Sequence, residues 1–262
     1  MTARRPAGEN REETMSDLPL APQLAWLLVE SATAAPSFRN SQPWWFLVRP
    51  DDAVIELHAD PGRVPPGTDP DGRAAHISCG AALFNLRLTV TCASAEPVTR
   101  LLPDPGDPRL LATVRLAGPR RPRARELDLY AALRRRHAGP VTRTGVPLST
   151  PLMAALAEAA ALEGATLFAR GGGAVLATAS SGPADWLRAG QALERVLLLA
   201  TQHGAVAGPI HEALGIRDPG PAPGFGGQHP QLVLRLGYGP PGPATPRRPV
   251  AAVMRTAAPL MT

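Results

Sequence analysis

Lysine is absent from the 262 residues, so all 27 basic residues are arginines. The phosphate-binding loop of P-loop proteins ends in a lysine, so the glycine run at 171–173 is not a loop of that kind. A nucleic-acid-binding domain groups its basic residues on one helix or stripe, whereas acidic residues here interleave with the arginines along most of the chain. The arginine excess is typical of a GC-rich coding sequence and indicates no nucleic-acid partner.

Cysteine is scarce as well. Cys79 and Cys92 have neither a metal-binding nor a redox spacing, and the 6 histidines show no metal-ligand spacing. We therefore expect no metal site, and two isolated cysteines fit a reducing cytoplasm. No run of about 18 apolar residues is present, so we expect no membrane span. Residues 1–17 are polar and charged, and we expect them to form a disordered tail without an export signal.

Apolar spacing predicts helices and short strands in two successive stretches of the chain. The predicted helices lie near residues 22–36, 74–93, 127–137, 151–163 and 184–202. The predicted strands lie near residues 44–48, 54–58, 110–116, 165–169 and 232–236. Residues 204–227 are expected to be a loop and residues 240–262 an extended tail.

Two pairs of segments resemble each other in the same order. GAALFNLRL, from Gly80, matches GQALERVLL, from Gly190, and ATVRLAG, ending at Gly118, resembles LVLRLGYG, ending at Gly239. Each matching helix is followed by a matching strand, which favours an internal duplication. The two related halves would form an intramolecular pseudo-dimer, in which an interface between halves replaces one between subunits. We expect the first half over residues 18–122 and the second over residues 123–262.

The loop at residues 36–45, PSFRNSQPWW, combines polar and aromatic groups. Ser37, Asn40 and Gln42 offer small hydrogen-bonding groups, and the proline and tryptophans that follow offer apolar faces. A flat heteroaromatic ligand needs polar groups at its edge and apolar groups on its face. The alternative is an ordinary turn whose tryptophans belong to the core.

APSFRNSQPWWF resembles the flavin-contacting loop of the nitroreductase superfamily, and the chain resembles its Acg-like flavoproteins of actinobacteria in particular. Four further segments follow in the family's order: CGAALFNLRL, DWLRAGQALERVLL, PQLVLRLGYG and TPRRPV. This resemblance covers roughly residues 20–250 and implies an α+β, nitroreductase-like fold. It also implies FMN as the cofactor. The loop lies in the first half and TPRRPV in the second, so we expect one complete FMN site per chain.

The resemblance implies three groups of cofactor-binding residues. Loop residues expected to contact FMN are Pro36, Ser37, Phe38, Asn40 and Gln42. Residues expected at the reactive edge of the flavin are Gly208 and Pro209, within a segment that resembles the family's loop at N5. Residues expected to bind the phosphate are Arg135, Arg136, Arg247 and Arg248, because arginine meets phosphate with a planar fork.

The phosphate assignment leaves alternatives open. The run RRRHAGP at 134–140 departs from the family's RxSxR-like pattern, because the position of the pattern's later arginine corresponds to about Gly139 or Pro140 in this chain. Arg143 is a possible substitute for that arginine. A basic final turn is favoured by any helix dipole, and the pair Arg247 and Arg248 also fits a solvated tail.

The resemblance implies an FMN-dependent oxidoreductase that transfers hydride through flavin N5 between a nicotinamide donor, NAD(P)H, and a small acceptor. Because the cofactor carries the chemistry, few catalytic side chains are required. One alternative is an FMN-dependent dehydrogenase or oxidase of natural-product biosynthesis, reoxidised by oxygen. Another is a flavin-sequestering protein without enzymatic activity. We expect a small-molecule substrate, no nucleic-acid or membrane partner, a monomer or homodimer, and a cytoplasmic location.

Overall fold

A computed structural model describes residues 19–65, 67–136, 146–209, 220–240 and 242–258 of the chain. The α-helices of these ranges are α1 Pro22–Thr33, α2 Arg73–Cys92, α3 Ala124–Arg135, α4 Thr150–Ala161 and α5 Pro183–Gln202. The β-strands are β1 Trp44–Arg49, β2 Val54–Ala59, β3 Ala95–Leu101, β4 Leu110–Pro119, β5 Thr166–Arg170, β6 Gly173–Thr178, β7 Val206–Pro209, β8 His229–Gly237 and β9 Met254–Thr256. The α+β class expected from the sequence is confirmed.

The strands form two sheets. The first has the order β3-β4-β2-β1-β9 and the second the order β5-β6-β8-β7. β9 pairs with β1 in parallel, and the other neighbouring strands pair antiparallel. The C-terminal segment, expected as an extended tail, therefore contributes β9 to the first sheet, although it follows the strands of the second sheet along the chain.

The two halves share one topology. The first runs α1-β1-β2-α2-β3-β4 and the second α4-β5-β6-α5-β7-β8. Within the sheets, the order β1-β2-β4-β3 of the first half corresponds to β5-β6-β8-β7 of the second. A duplicated chain would produce this correspondence. The pseudo-dimer and the boundaries at residues 17 and 122 stay predictions.

The two long helices α2 and α5 cross at a pair of glycines. A Cβ atom on Gly80 would lie 2.2 Å from the backbone oxygen of Leu187, and one on Gly190 would lie 2.0 Å from that of Ile77. Each glycine thus meets the residue three positions before the other, which is the reciprocity of an interface between like partners. Glycine is required here because only its missing side chain lets the helix backbones approach so closely.

The sequence predicted the helices better than the strands, and the missed strands include β6, which lies inside the second sheet. β3, β6, β7 and β9 were not predicted, and the expectation of a continuous loop at 204–227 was wrong where β7 lies. β3 and β7 are edge strands with a proline and little apolar alternation, which edge strands tolerate. Gly171 and Gly172 form the expected turn, with φ of 49° and 76°, but Gly173 already begins β6.

Both cysteines lie in α2, as expected. Cys79 is buried, whereas Cys92 is partly exposed at the helix end. In the ranges that the structure describes, no helix is long and apolar enough to cross a membrane. Across those same ranges, no group of three or more His, Cys, Asp or Glu side chains is placed to hold a metal ion.

Candidate functional site

The loop between α1 and β1 has a constrained backbone. Arg39, Asn40 and Gln42 have φ of 49°, 55° and 49°, in the left-handed region that side chains other than glycine seldom adopt. Ser37 Oγ accepts the Gln42 backbone N–H at 3.0 Å, and Ser78 Oγ on α2 accepts that of Phe38 at 3.1 Å. Strained backbone persists where its surroundings fix it, and it concentrates at ligand sites.

The tryptophans after the loop belong to the first sheet. Trp44 is fully buried in the core between that sheet and the helices. Trp45 stacks on His58, with ring centroids 4.0 Å apart, and the guanidinium carbon of Arg255 lies 4.3 Å from its ring centre. Trp44 therefore behaves as the core alternative predicted, whereas Trp45 is half-buried and contacts His58 and Arg255.

Residues 245–248, which we call the C-terminal arm, lie directly against the loop. Asn40 Nδ2 donates to the Pro246 carbonyl at 3.1 Å, and Arg247 Nη1 donates to Asn40 Oδ1 at 3.2 Å. The backbone N–H of Arg248 donates to Gln42 Oε1 at 2.8 Å, although these residues are 206 positions apart. The structure thus brings together the two segments on which the predicted site depends.

The two arginines of the arm have different surroundings. Arg248 donates to the carbonyl oxygens of Gln42 at 3.4 Å, Trp44 at 3.3 Å and Ala252 at 3.0 Å, so its side chain holds the loop. Arg247 points inward, where Nη2 donates to the Ala34 carbonyl at 3.1 Å, and its buried Nε has no hydrogen-bond partner among the described residues. Burial and the nearby Arg136 lower the pKa of Arg247, and Glu194 opposes this.

Arg247 borders a buried charged cluster that also contains Asn85 of α2, Glu194 of α5 and Arg136, the residue after α3. Arg136 Nη2 lies 3.3 Å from Glu194 Oε2, and the two side chains are only 7% and 0% exposed. Asn85 is fully buried between the same helices. Burial raises the pKa of Glu194, and Arg136, Asn85 and Arg247 oppose that shift. Four separate segments, α2, the end of α3, α5 and the C-terminal arm, therefore each contribute one polar group to this cluster.

The buried charged cluster carries more polar atoms than it satisfies. Arg136 and Asn85 lie against the Glu194 carboxylate, but the Nε atoms of Arg136 and Arg247 have no hydrogen-bond partner among the described residues. Each such atom costs about 1–3 kcal/mol when left unpaired, and folded proteins keep few of them. A ligand group rich in hydrogen-bond acceptors would satisfy the arginine and amide donors.

The predicted site residues fall into three sets. The first set lies where loop, arm and buried charged cluster connect: Asn40 and Gln42 in the loop, Arg247 in the arm and Arg136 in the cluster. The loop also contains three buried residues, Pro36, Ser37 and Phe38. Arg135 is exposed at the end of α3, and Arg248 is committed to the loop. Gly208 and Pro209 lie in β7, the edge strand of the second sheet. Arg143 lies outside the described residues, and the role of each residue stays a prediction.

Asn85 and Glu194 were missed by sequence reasoning. Both lie in helices that are buried nearly all round, where no polar face distinguishes an inward from an outward residue. The available signal was a polar residue inside each copy of the repeated helix segment.

Sequence comparison relates the chain to mycobacterial proteins. It is 29% identical, over 85% of its own length and 88% of the other chain, to the Mycobacterium tuberculosis protein named "Putative NAD(P)H nitroreductase Rv3131". It is also 37% identical to "Putative NAD(P)H nitroreductase acg" of the same organism, over 33% of this chain and 25% of that protein. No family model matches. The resemblance to nitroreductase-related proteins inferred from the loop is thus confirmed.

Solved structures give a weaker likeness. A nitroreductase family protein from Streptococcus pneumoniae is 16% identical, covers 93% of each chain and has a TM-score of 0.20. A nitroreductase from Exiguobacterium sibiricum, solved in complex with FMN, is 17% identical over 89% of this chain and 87% of that one, with a TM-score of 0.18. With TM-scores this low, the superpositions identify no equivalent positions.

Proposed function

We propose that the chain is an FMN-dependent oxidoreductase of the nitroreductase type, passing hydride between NAD(P)H and a small acceptor. The observation that carries the proposal is the junction of the loop at 36–42 with the C-terminal arm, beside the buried charged cluster. The names of the mycobacterial relatives support the same class of activity.

The buried charged cluster fits the phosphate of FMN. Arg136 and Arg247 present two guanidinium groups, and Arg136 is close enough to disfavour the charge of Arg247. A phosphate dianion would relieve that repulsion, and arginine binds phosphate through charge-assisted, frequently paired hydrogen bonds. The amide of Asn85 adds a donor from α2. These residues would hold the phosphate, whereas Arg248 would keep the loop in place.

The loop and the arm would orient the flavin ring. FMN, when bound, supplies the hydride chemistry at N5, so the residues of this chain have to bind and orient it and exclude water. Asn40 and Gln42 tie the loop to the arm through both of their side-chain amides. We propose that Gly208 and Pro209 face the reactive edge of the ring, since β7 leaves one edge of its backbone outside the sheet.

A single FMN per chain is supported by the residues at the counterpart position, which is the place where the repeat would put a second copy of the buried charged cluster. Gly80 and Gly190 are 110 positions apart, and the same shift relates Asn85 to Arg195 and Glu194 to Phe84. The guanidinium carbon of Arg195 lies 5.1 Å from the Phe84 ring centre, and its Nε donates to Glu163 at 2.9 Å. Arg87 donates to the same carboxylate at 2.8 Å. The counterpart position is therefore closed by paired side chains.

Anaerobic reduction of the FMN-loaded protein tests the proposal. Addition of NADH or NADPH should bleach the oxidised-flavin absorbance, and a nitroaromatic or quinone should then restore it. Bound flavin that neither nicotinamide reduces would instead favour one of the two alternatives. It would favour the oxidase if another substrate reduces the flavin and oxygen reoxidises it, and the sequestering protein otherwise. Absence of flavin binding would contradict all three functions.

A further inference from the structure

We propose that Glu194 is an internal counter-ion of Arg136 and Arg247, and that it takes up one proton from solvent when a phosphate group binds beside these arginines. The proposal rests on the proposed phosphate site. It adds a residue and a property, namely that cofactor binding is coupled to protonation.

The position of Glu194 makes it the counter-ion. Its carboxylate is fully buried, lies 3.3 Å from Arg136 and is close enough to Arg247 to affect its charge. Arg136 and the side-chain amide of Asn85 lie against the carboxylate, and the positive charges of Arg136 and Arg247 favour its ionised form. An ion held in this way is easily displaced from its charged state when a stronger anion arrives.

The groups that face Glu194 come from three directions. Asn85 on α2 is neutral, Arg136 follows α3, and Arg247 comes from the C-terminal arm. The other nearby acid, Glu163, is already paired with Arg87 and Arg195. His137 follows Arg136 in the sequence and lies outside the described residues, so it needs its own control.

A bound phosphate would reverse the charge balance at Glu194. Without phosphate, one carboxylate faces two guanidinium groups. With a phosphate dianion in the same buried space, the carboxylate becomes a second anion beside the first, and like charges that share a site raise the pKa of a carboxyl group. Burial already raises the pKa of Glu194, so the protonated form is within reach. The proton enters the carboxylate from solvent, and no other bond changes.

This coupling has a definite sign. Because the complex binds one proton more than the free protein, FMN affinity must fall as pH rises. The fall approaches tenfold per pH unit between the pKa of Glu194 in the free protein and its pKa in the complex. Glu194→Gln keeps the shape of the side chain without its charge, so it should remove this slope. Riboflavin, which lacks the phosphate, should bind with the same affinity across the range.

Calorimetric titration of the full chain with FMN, in buffers of different ionisation enthalpy, counts the protons taken up. It is run at several pH values from about pH 7 upward and downward, with a phosphate monoester that is mostly a dianion above its second pKa near 6. At the pH where wild-type FMN affinity falls most steeply, the wild type should take up close to one proton more than Glu194→Gln, and His137→Gln should behave as the wild type. If Glu194→Gln does not fold, the contrast between FMN and riboflavin slopes in the wild type decides.

The outcomes separate the two proposals. Equal proton uptake by the wild type and Glu194→Gln, or a wild-type FMN affinity that does not fall with pH, overturns the role of Glu194 while leaving the flavin site intact. Uptake that disappears in His137→Gln assigns the proton to that histidine and also overturns it. Failure of the wild type to bind FMN or riboflavin removes the proposed function itself.

Discussion

Replacing Gly190 with alanine tests the crossing of α2 and α5, the contact that joins the two halves. In an ordinary helix interior this change stabilises a protein by roughly 0.5–1 kcal/mol. Here the new Cβ would lie 2.0 Å from the Ile77 oxygen and 2.8 Å from the Gly80 Cα, both of them backbone atoms. Ordinary contact begins at 3.4 Å, so the helices would have to separate by about 1.4 Å. We therefore expect the sign of the effect to reverse.

Overpacking of a close-packed core costs about 1–3 kcal/mol, and we expect the upper end because no flexible side chain can yield. For a chain of this size, each kcal/mol lowers the melting temperature by about 2–4 °C, so the expected fall is about 6–12 °C. Gly118→Ala is the matched control, since nothing lies within 4 Å of its Cβ position. Thermal unfolding followed by circular dichroism measures both. A Gly190→Ala protein that melts at or above the wild-type temperature would refute the close crossing.

Two substitutions and one labelling experiment test the site and its surroundings. Arg136→Met should raise the Kd for FMN about tenfold to a hundredfold, because a charge-assisted hydrogen bond contributes about 1.5–3 kcal/mol. Fluorescence titration should show little change in the Kd for riboflavin, and equal losses for the two flavins would make Arg136 structural. Asn40→Ala should weaken both flavins about threefold to tenfold by loosening the arm, and unfolding seen by circular dichroism would contradict this. Burial and Glu126 raise the pKa of Cys92 to about 11, and burial raises that of Cys79 further, so both stay thiols below that pH. A thiol-reactive dye should label Cys79 only after unfolding, and rapid labelling of both thiols in the native chain would contradict its burial.

The sequence was sufficient to predict the helices of the core, although it did not predict the interior strand β6. α2 and α5 are long and apolar, and the glycines that align in the repeat, Gly80 and Gly190, meet where the two helices cross. Arg247 and Arg248 were both expected to bind the phosphate, but the direction of each depended on contacts with a loop 206 positions away. That pairing is a property of the folded chain.

Edge strands and buried polar groups were harder to predict. β3 and β7 carry little apolar alternation, and each pairs with a single strand among the described residues. The Glu194 side chain is fully buried, and the polar groups that face it come from α2, the residue after α3 and the arm. In both cases the deciding information lies between elements, where local periodicity has no signal.

We propose one flavin per chain, held where the loop and the arm meet the buried charged cluster. Equilibrium titration of the wild-type chain with FMN and with riboflavin, counting sites and comparing affinities, tests this most directly. We expect one FMN site per chain and FMN binding at least about tenfold tighter than riboflavin, since the phosphate would meet two arginines. Two sites per chain would contradict the single flavin site, and equal affinity for the two flavins would contradict binding of the phosphate by the arginines.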